Sequence, residues 1–262
     1  MDICSDLTQQ GDLLGQYTSK LLANEVYLDD HLSVVLADSP KLKNIVYRIR
    51  YKVYCEQYRF ECPSKYPDQL ECDTYDEVAV HFLLKDRKTG CFLGTMRLIR
   101  SGVSGEIKSI PLESAYGGGY FNEQLNPSEL RGGCCEVSRI AMLSSYSASS
   151  KLWERHGAQF NRLVGGGARG LYFACLAYID LMEEKMEHIF CLMENRLAIR
   201  LNKLGFPFIR VGTSVNFRGS RAPFYLHRSH AAESLQGEER MLYLRLKFAF
   251  LQILDDSELA VV

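Results

Sequence analysis

The pair Glu136 and Arg139 is the part of the sequence that most directly offers chemistry. The two residues lie three apart in the segment CEVSRIA, residues 135–141. In a regular strand the side chains alternate between the two faces of the sheet, so residues three apart point to opposite sides. A β-bulge would turn both side chains into one cleft, and bulges are frequent beside active sites. The alternative is an edge strand with two solvated charges, and this segment alone favours neither interpretation.

Four further segments accompany this pair. They are RIRYKVYCEQYRFE from residue 48, ECDTYD from residue 71 followed by HFLL from residue 81, LGTMRL from residue 93, and NFRGSRAPFY from residue 216. In this order, over about residues 40–228, the set resembles the autoinducer-synthase branch of the GNAT acyltransferases. That branch holds the acyl-homoserine-lactone synthases and the long-chain N-acyl amino acid synthases. The strongest resemblance is to the acyltransferases associated with PEP-CTERM/exosortase systems, whose pattern runs RYxVYC, ExDxYD, HFLL, GTxRL and EVSR.

The resemblance implies transfer of a medium or long fatty acyl group from acyl carrier protein or acyl-CoA to the amine of an amino acid. Amide formation from a thioester needs a deprotonated amine, and a carboxylate can take the amine proton directly or through one water. Backbone amides can stabilise the oxyanion. By resemblance, Glu136 is the base, Ser138 and Arg139 complete the catalytic set, and the bulge supplies the amides. No covalent intermediate or permanently bound cofactor is implied.

Further positions shared with the homoserine-lactone synthases are expected to bind substrate: Arg50, Tyr54, Phe60, Asp73, Asp76 and Arg97. Opposite charges that are buried together would be paired with one another. A structural ion network is therefore the alternative role, above all for Asp73, Asp76 and Arg97. The last segment has the pattern of a β-hairpin with its turn at Gly219, which leaves Arg218 and Arg221 available for a carboxylate or a carrier protein.

A glycine-rich stretch offers a phosphate site. The residues from Arg162 to Ala168 (RLVGGGA) fit the R-x-x-G-x-G/A pyrophosphate loop of acetyl-CoA-binding GNAT enzymes. The stretch precedes a predicted helix, and backbone N–H groups at a helix N-terminus suit a phosphate. Arg162, Gly165 and Gly167 are therefore predicted to hold a phosphate of coenzyme A or of the phosphopantetheine arm. The alternative is a flexible lid.

Charge is informative only locally. The net charge of −1 over 262 residues gives no general attraction to nucleic acid or to a membrane. Residues 41–65 hold seven basic and two acidic side chains, and residues 194–228 hold seven basic and one acidic. Such runs can steer an acidic partner such as acyl carrier protein. The alternative is that they are solvated helix and loop faces.

Composition predicts a cytoplasmic protein without a metal. The nine cysteines form no C-x-x-C pair and the N-terminus lacks signal-peptide features, so free thiols in a reducing compartment are expected. The six histidines form no pattern typical of a metal site. No apolar run is long enough for a bilayer span, so no stable membrane insertion is expected.

Strands that alternate with helices predict an α/β domain with a mixed central sheet and flanking helices, which the resemblance identifies as the GNAT fold. We predict a helical extension over residues 1–30 and an N-acyltransferase domain over residues 31–262. The predicted elements include a first strand from His31, a helix that begins at Ser39–Pro40, paired strands at 78–85 and 91–99, a connection over 144–167, helices at 168–185, 195–204 and 238–255, and strands from 188 and over 206–213.

Two other functions remain open. The first is an acyl-homoserine-lactone synthase, which would need S-adenosylmethionine, and the sequence gives no independent sign of an adenosine site. The second is a non-catalytic module that binds acyl thioesters. A silent module has no need of a carboxylate beside the thioester, so the presence of both Glu136 and Arg139 argues against it.

Overall fold

A computed structural model describes residues 24–102, 109–143, 158–182 and 186–259. The strands are β1 (Glu25–Tyr27), β2 (Leu32–Leu36), β3 (Val80–Asp86), β4 (Phe92–Arg100), β5 (Cys134–Met142), β6 (His188–Met193), β7 (Ile209–Arg210), β8 (Val215–Asn216) and β9 (Ser220–His227). The α-helices are α1 (Pro40–Tyr51), α2 (Pro111–Tyr116), α3 (Ala158–Ile179), α4 (Asn195–Lys203), α5 (Arg228–Ser234) and α6 (Gly237–Leu259). The predicted α/β architecture with a mixed central sheet is confirmed.

The sheet opens at one pair of strands. Its order is β1-β2-β3-β4-β5-β6-β9-β7, and β8 pairs with β9. Neighbouring strands are antiparallel except β5 and β6, which run parallel and pair only over Cys134–Glu136 and His188–Phe190. Beyond Glu136, β5 continues along β4 while β6 continues along β9. The two strands therefore diverge and leave a cleft between them.

The first helix leads directly to this cleft. The Ser39 side chain caps α1 by accepting from the Leu42 N–H at 3.3 Å, and Pro40 occupies the first turn, as the sequence predicted. Its core face is buried: Leu42, Ile45, Val46 and Ile49. The helix then widens into the π-helix Lys52–Gln57. π-Helical turns are frequent at functional sites because they shift the side chains that follow.

Helix α3 crosses the β1–β4 side of the sheet at very close range. A Cβ atom on Gly167 would stand 2.4 Å from Leu84 Cδ2, and one on Gly170 would stand 2.2 Å from Leu28 Cδ1. Glycine is therefore needed at both positions for packing. The other side of α3 packs against α6 through contacts such as Tyr178 with Phe250, whose ring centroids lie 5.7 Å apart.

Several element predictions differ from the structure. Residues 25–27 form β1 and pair with β2, so the predicted extension over 1–30 includes part of the sheet, while residues 1–23 lie outside the described ranges. Helix α3 begins at Ala158, ten residues before the predicted start. The strand predicted over 206–213 is only Ile209–Arg210. The hairpin around Gly219 and the strands β3 and β4 are where the sequence predicted them.

The thiol prediction holds for seven cysteines that are free: Cys55, Cys62, Cys72, Cys134, Cys135, Cys175 and Cys191. Cys91 is disulfide-bonded, so the prediction of free thiols throughout is wrong at that position. None of the helices in the described parts of the chain combines the length and apolar character needed to cross a membrane.

Candidate active site

A β-bulge brings Glu136 and Arg139 to the same cleft. In the pairing of β4 with β5, Arg97 faces Ser138 but Thr95 faces Ala141. Two residues of β5, at positions 139 and 140, therefore stand opposite a single residue of β4. Arg139 adopts a positive φ of 52°, which is uncommon outside glycine. The bulge interpretation of the sequence is confirmed, since both side chains line the cleft.

The cleft has a volume of about 670 Å³. It lies where β5 and β6 part, and α2, α4, the π-helix and the β8–β9 hairpin contribute to its walls. Its polar lining includes Asp73, Glu136, Ser138, Arg139, Glu194, Arg200, Arg218 and Arg221. Its apolar lining includes Val53, Tyr54, Tyr58, Phe60, Leu112, Val137, Ile140, Met142, Tyr172, Leu192, Met193, Leu197 and Phe217. The cleft thus combines charged groups with a large apolar lining.

Glu136 is the buried carboxylate at the parting of the strands. Only 3% of the residue is exposed. Its Oε2 accepts a hydrogen bond from the Leu112 N–H at 2.6 Å. Burial raises the pKa of Glu136 from 4.5 to about 7, against the opposing effects of Arg97, the Leu112 N–H and Arg139. A carboxylate with this pKa can both accept and release a proton near neutral pH.

An ion network lies beneath the cleft, with Asp76 at its centre. Asp76 Oδ1 accepts from Arg50 Nη1 at 2.7 Å and from Arg97 Nη1 at 2.8 Å. Burial acts to raise the pKa of Asp76, but the two guanidinium groups hold it well below its usual range. Both arginines are buried. Such a pair of buried cations is tolerated only because carboxylates face them.

Arg139 joins the network from the cleft side. Its Nε donates to Glu71 Oε1 at 3.2 Å, and its Nη2 donates to Asp73 Oδ2 at 3.0 Å. Glu71 also accepts from Arg50 Nε, and Asp73 accepts from Arg97 Nη1 at 2.6 Å. Three arginines thus meet three carboxylates. This network fixes the orientation of Arg139 at the bulge.

The wall opposite β6 is held by aromatic and polar contacts. The Tyr54 hydroxyl donates to the Ile140 carbonyl at 2.9 Å, which ties the π-helix to the bulge. The guanidinium carbon of Arg218 lies 5.5 Å from the centroid of the Tyr54 ring, and Arg218 also forms an ion pair with Glu61. Ser138 accepts from Arg97 Nε at 3.3 Å. These contacts position the lining around Glu136.

The predicted site residues separate into two groups. Those that line the cleft are Tyr54, Phe60, Asp73, Glu136, Ser138, Arg139 and Arg221. Those that lie behind the lining are Arg50, Asp76 and Arg97. Their position favours a structural role over direct substrate contact. The prediction missed Glu71, which is fully buried and forms ion pairs with two arginines. The sequence feature that could have identified it is its position at the start of the ECDTYD segment.

The predicted phosphate loop has a different conformation. Residues 162–168 lie within α3, which begins at Ala158, so they do not precede a helix. Only the first four N–H groups of an α-helix have no hydrogen-bond partner within the helix. The amides of Gly165 and Gly167 lie beyond these four, so they are not free to bind a phosphate. Gly167 packs on Leu84 instead. The prediction for Arg162, Gly165 and Gly167 therefore loses its structural basis, and the Arg162 side chain lies outside the description.

A mixed sheet that splays at one parallel pair, beside a bulged strand, is the fold of the GNAT acyltransferases. Residues 49–153, which are 105 of the 262, match a family model described as an acetyltransferase (GNAT) domain. The fold and this match support an acyltransferase. No curated protein sequence matches the chain.

Solved structures show the same fold. One is the AHL synthase LasI, with a TM-score of 0.52 and 15% identity, covering 76% of this chain and 91% of that one. Another is TofI, solved in a ternary complex with an inhibitor and MTA, with a TM-score of 0.52, 15% identity, and coverage of 80% and 98%. A third is FeeM, an N-acyl amino acid synthase from uncultured soil microbes, with a TM-score of 0.51, 17% identity, and coverage of 78% and 93%.

Proposed function

We propose that this protein is an N-acyltransferase that moves a medium or long fatty acyl group from acyl carrier protein, or from acyl-CoA, to the amine of an amino acid. The observation that carries the proposal is Glu136, a carboxylate with a pKa of about 7 at the point where β5 and β6 part. An amine is protonated in neutral water and cannot attack a thioester until it loses a proton. Glu136 is the group in the cleft suited to take it.

The reaction requires no enzyme nucleophile. Glu136 first takes one proton from the ammonium group and passes it to solvent. The neutral nitrogen then attacks the thioester carbonyl, a second nitrogen proton passes to Glu136, and backbone N–H groups at the bulge at positions 139 and 140 stabilise the oxyanion. The tetrahedral intermediate then expels the thiolate as the C–S bond breaks. Glu136 returns the proton to the thiolate sulfur, which leaves the amide and a free thiol. Arg139 and the network beneath it hold the bulge in place.

The lining supports a long acyl group over an acetyl group. The apolar side chains come from both sides of the splayed strands, for example Val137 and Met142 on β5 and Leu192 and Met193 on β6. Burying a methylene contributes about 0.8 kcal/mol. A chain of several carbons would therefore be bound favourably, whereas an acetyl group would leave most of the cleft filled with water.

The test is an incubation with thioesters and acceptors. The purified protein is given acyl carrier protein thioesters or acyl-CoA of several chain lengths with a pool of amino acids, and the products are sought by mass spectrometry. We expect N-acyl amino acids, formed at a strongly reduced rate when Glu136→Gln replaces the wild type. No product from any donor would contradict an enzymatic function and would favour a binding module.

An acyl-homoserine-lactone synthase is the second candidate. It is favoured by the fold shared with LasI, which is described as an AHL synthase. The same incubation distinguishes the two candidates when it is repeated with S-adenosylmethionine in place of the amino acid pool. An acyl-homoserine lactone as the main product would establish the alternative. An N-acyl amino acid formed without S-adenosylmethionine would exclude it.

A further inference from the structure

Among the three partly buried arginines that line the cleft, Arg221 differs from Arg139 and Arg218. Arg139 is bonded to Glu71 and Asp73, and Arg218 is paired with Glu61. Arg221 has no carboxylate partner within the described residues. Arg221 therefore lines the cleft as a cation without a counter-charge from the described part of the protein, and a carboxylate bound in the cleft would supply that charge.

The β8–β9 hairpin places Arg221 in the lining of the cleft. This residue stands at the start of β9, opposite Val215 of β8, just after a turn in which Gly219 adopts a φ of 99°. Its guanidinium carbon lies 5.9 Å from the centroid of the Phe60 ring. An aromatic face steadies a guanidinium group without neutralising it. The side chain is thus oriented but still able to bind an anion.

Arg221 and Glu136 line the same cleft from the two strands that flank β6. Glu136 on β5 pairs with Phe190 of β6, while Ala222 on β9, the residue after Arg221, pairs with Met193 of β6. Cys191, which lies between these two positions on β6, also lines the cleft. A ligand with an anion beside an amine, bound across β6, can therefore meet both charges.

We propose that Arg221 binds the carboxylate of the acceptor, so that the enzyme selects α-amino acids over amines that lack a carboxylate. The proposal rests on the proposed function and names the feature of the acceptor that the site recognises. A guanidinium group binds a carboxylate through two parallel hydrogen bonds, which fixes its direction as well as its position. Because the amine of an α-amino acid is one carbon away from the carboxylate, this contact aims the nitrogen toward Glu136.

The experiment compares three acceptors with the same side chain: the amino acid found to be used best, its primary amide, and the amine left when the carboxyl group is removed. Each is assayed with wild type, Arg221→Gln, Arg221→Lys and the control Arg87→Gln. Arg87 stacks on Tyr27 at the β3–β4 end of the sheet, outside the cleft. Unfolding midpoints are measured for all four proteins.

We expect wild type to favour the amino acid over its amide by at least about tenfold in kcat/KM. Arg221→Gln should raise KM for the amino acid about 10- to 100-fold, the value of one charge-assisted contact. It should lower kcat for the amino acid as well, because the nitrogen is no longer aimed at Glu136, and it should change KM for the amide much less, so the discrimination disappears. Arg221→Lys should restore part of it, and Arg87→Gln should behave as wild type.

Equal kcat/KM for acid and amide in the wild type would overturn the inference whether or not the variants fold. A rise in KM for the acyl donor in place of the acceptor would assign Arg221 to a phosphate of the donor and would also overturn it. In both cases acyl transfer would still occur and the proposed function would stand. Failure of the wild type to acylate any amine would contradict the proposed function itself.

Discussion

Asp76 and Glu136 are two buried carboxylates of the same site, yet their environments are opposite. Asp76 is 2% exposed and accepts from two arginines, which hold its pKa well below the usual range against burial. Glu136 is 3% exposed, has no ion pair in the described structure, and its burial raises its pKa to about 7. Both residues are almost fully enclosed, and the main difference between their surroundings is that Asp76 forms ion pairs with Arg50 and Arg97.

This difference assigns the two halves of the site to different tasks. A permanently ionised carboxylate between two cations cannot exchange a proton near neutral pH, but it can hold those cations rigidly. An unpaired buried carboxylate is costly to ionise, and the same cost makes it a proton acceptor of suitable strength. Arg97 links the halves, since it bonds Asp76 on one side and Ser138 on the other.

Removing the isolated carboxylate should have the largest effect. Glu136→Gln keeps the shape and the Leu112 hydrogen-bond acceptor but cannot take a proton. We expect kcat to fall about 10²- to 10⁴-fold, the usual range for a general base, with the fold retained by circular dichroism. Glu129→Gln, at an exposed carboxylate outside the cleft, is the control and should behave as wild type.

The pH profile completes this test. In the wild type, kcat/KM should rise with pH through an apparent pKa near 7, because the base form of Glu136 is required. This limb should vanish in Glu136→Gln. Undiminished turnover by the folded variant across the neutral range would remove Glu136 from the mechanism.

Breaking the paired carboxylate should affect stability first. Asp76→Asn leaves Arg50 and Arg97 buried without their shared counter-charge. Loss of one partner from a buried ion pair costs about 3–5 kcal/mol, which denaturant unfolding would measure. The adjacent exposed Glu77 offers a matched control, since Glu77→Gln should change the free energy of unfolding by less than about 0.5 kcal/mol. Equal effects at both positions would mean that the network does not stabilise the fold.

The two carboxylates also predict a difference in how stability depends on pH. Because the folded-state pKa of Glu136 is raised above its unfolded value of 4.5, its contribution to stability is fully present below pH 4.5 and is lost as pH rises through about 7. The Glu136→Gln variant does not lose this free energy of unfolding, because glutamine does not titrate. Relative to wild type, the variant should therefore gain on the order of 3 kcal/mol between pH 4.5 and pH 8. A constant difference across this range would contradict the raised pKa.

Local sequence signals predicted much of this site. The Ser39–Pro40 cap, the hairpin turn at Gly219 and the EVSR segment each act within a few residues, so their structures follow from the sequence. Even the bulge could be anticipated, because two charges three apart can share a cleft only where a strand is irregular. The GNAT fold followed from the order of such segments.

Long-range packing explains what the sequence could not give. Gly165 and Gly167 resemble a loop, but both lie within a helix, and Gly167 is a glycine there because the helix packs closely on Leu84. Arg50 adds to a basic run in the sequence, yet it is buried and adds nothing to the surface. The partners of Glu71 lie 21 and 68 residues away. Local pattern does not show which charges face each other across a core.

The smallest expected effect concerns the basic surface at the mouth of the cleft. Arg196, Arg200 and Lys203 are exposed on α4, beside Ile199, which is 58% exposed. Arg200 also lines the cleft. We predict that an acidic acyl carrier protein approaches this face, so kcat/KM with the carrier thioester should fall about tenfold between low and moderate ionic strength, while kcat/KM with acyl-CoA falls less. Unlike the buried pairs, these charges are screened by salt.

Charge reversal sharpens this prediction. Arg196→Glu with Lys203→Glu should lower kcat/KM for the carrier thioester about tenfold and remove most of its salt dependence, because the steering field is lost while Glu136 and the cleft lining are unchanged. The control is Arg87→Glu with Lys88→Glu, the same charge change at the exposed β3–β4 turn. The prediction is wrong if acyl-CoA is the better donor and if each double variant uses both donors as well as the wild type does. The α4 face is then ordinary solvated surface, and the donor is free coenzyme A thioester.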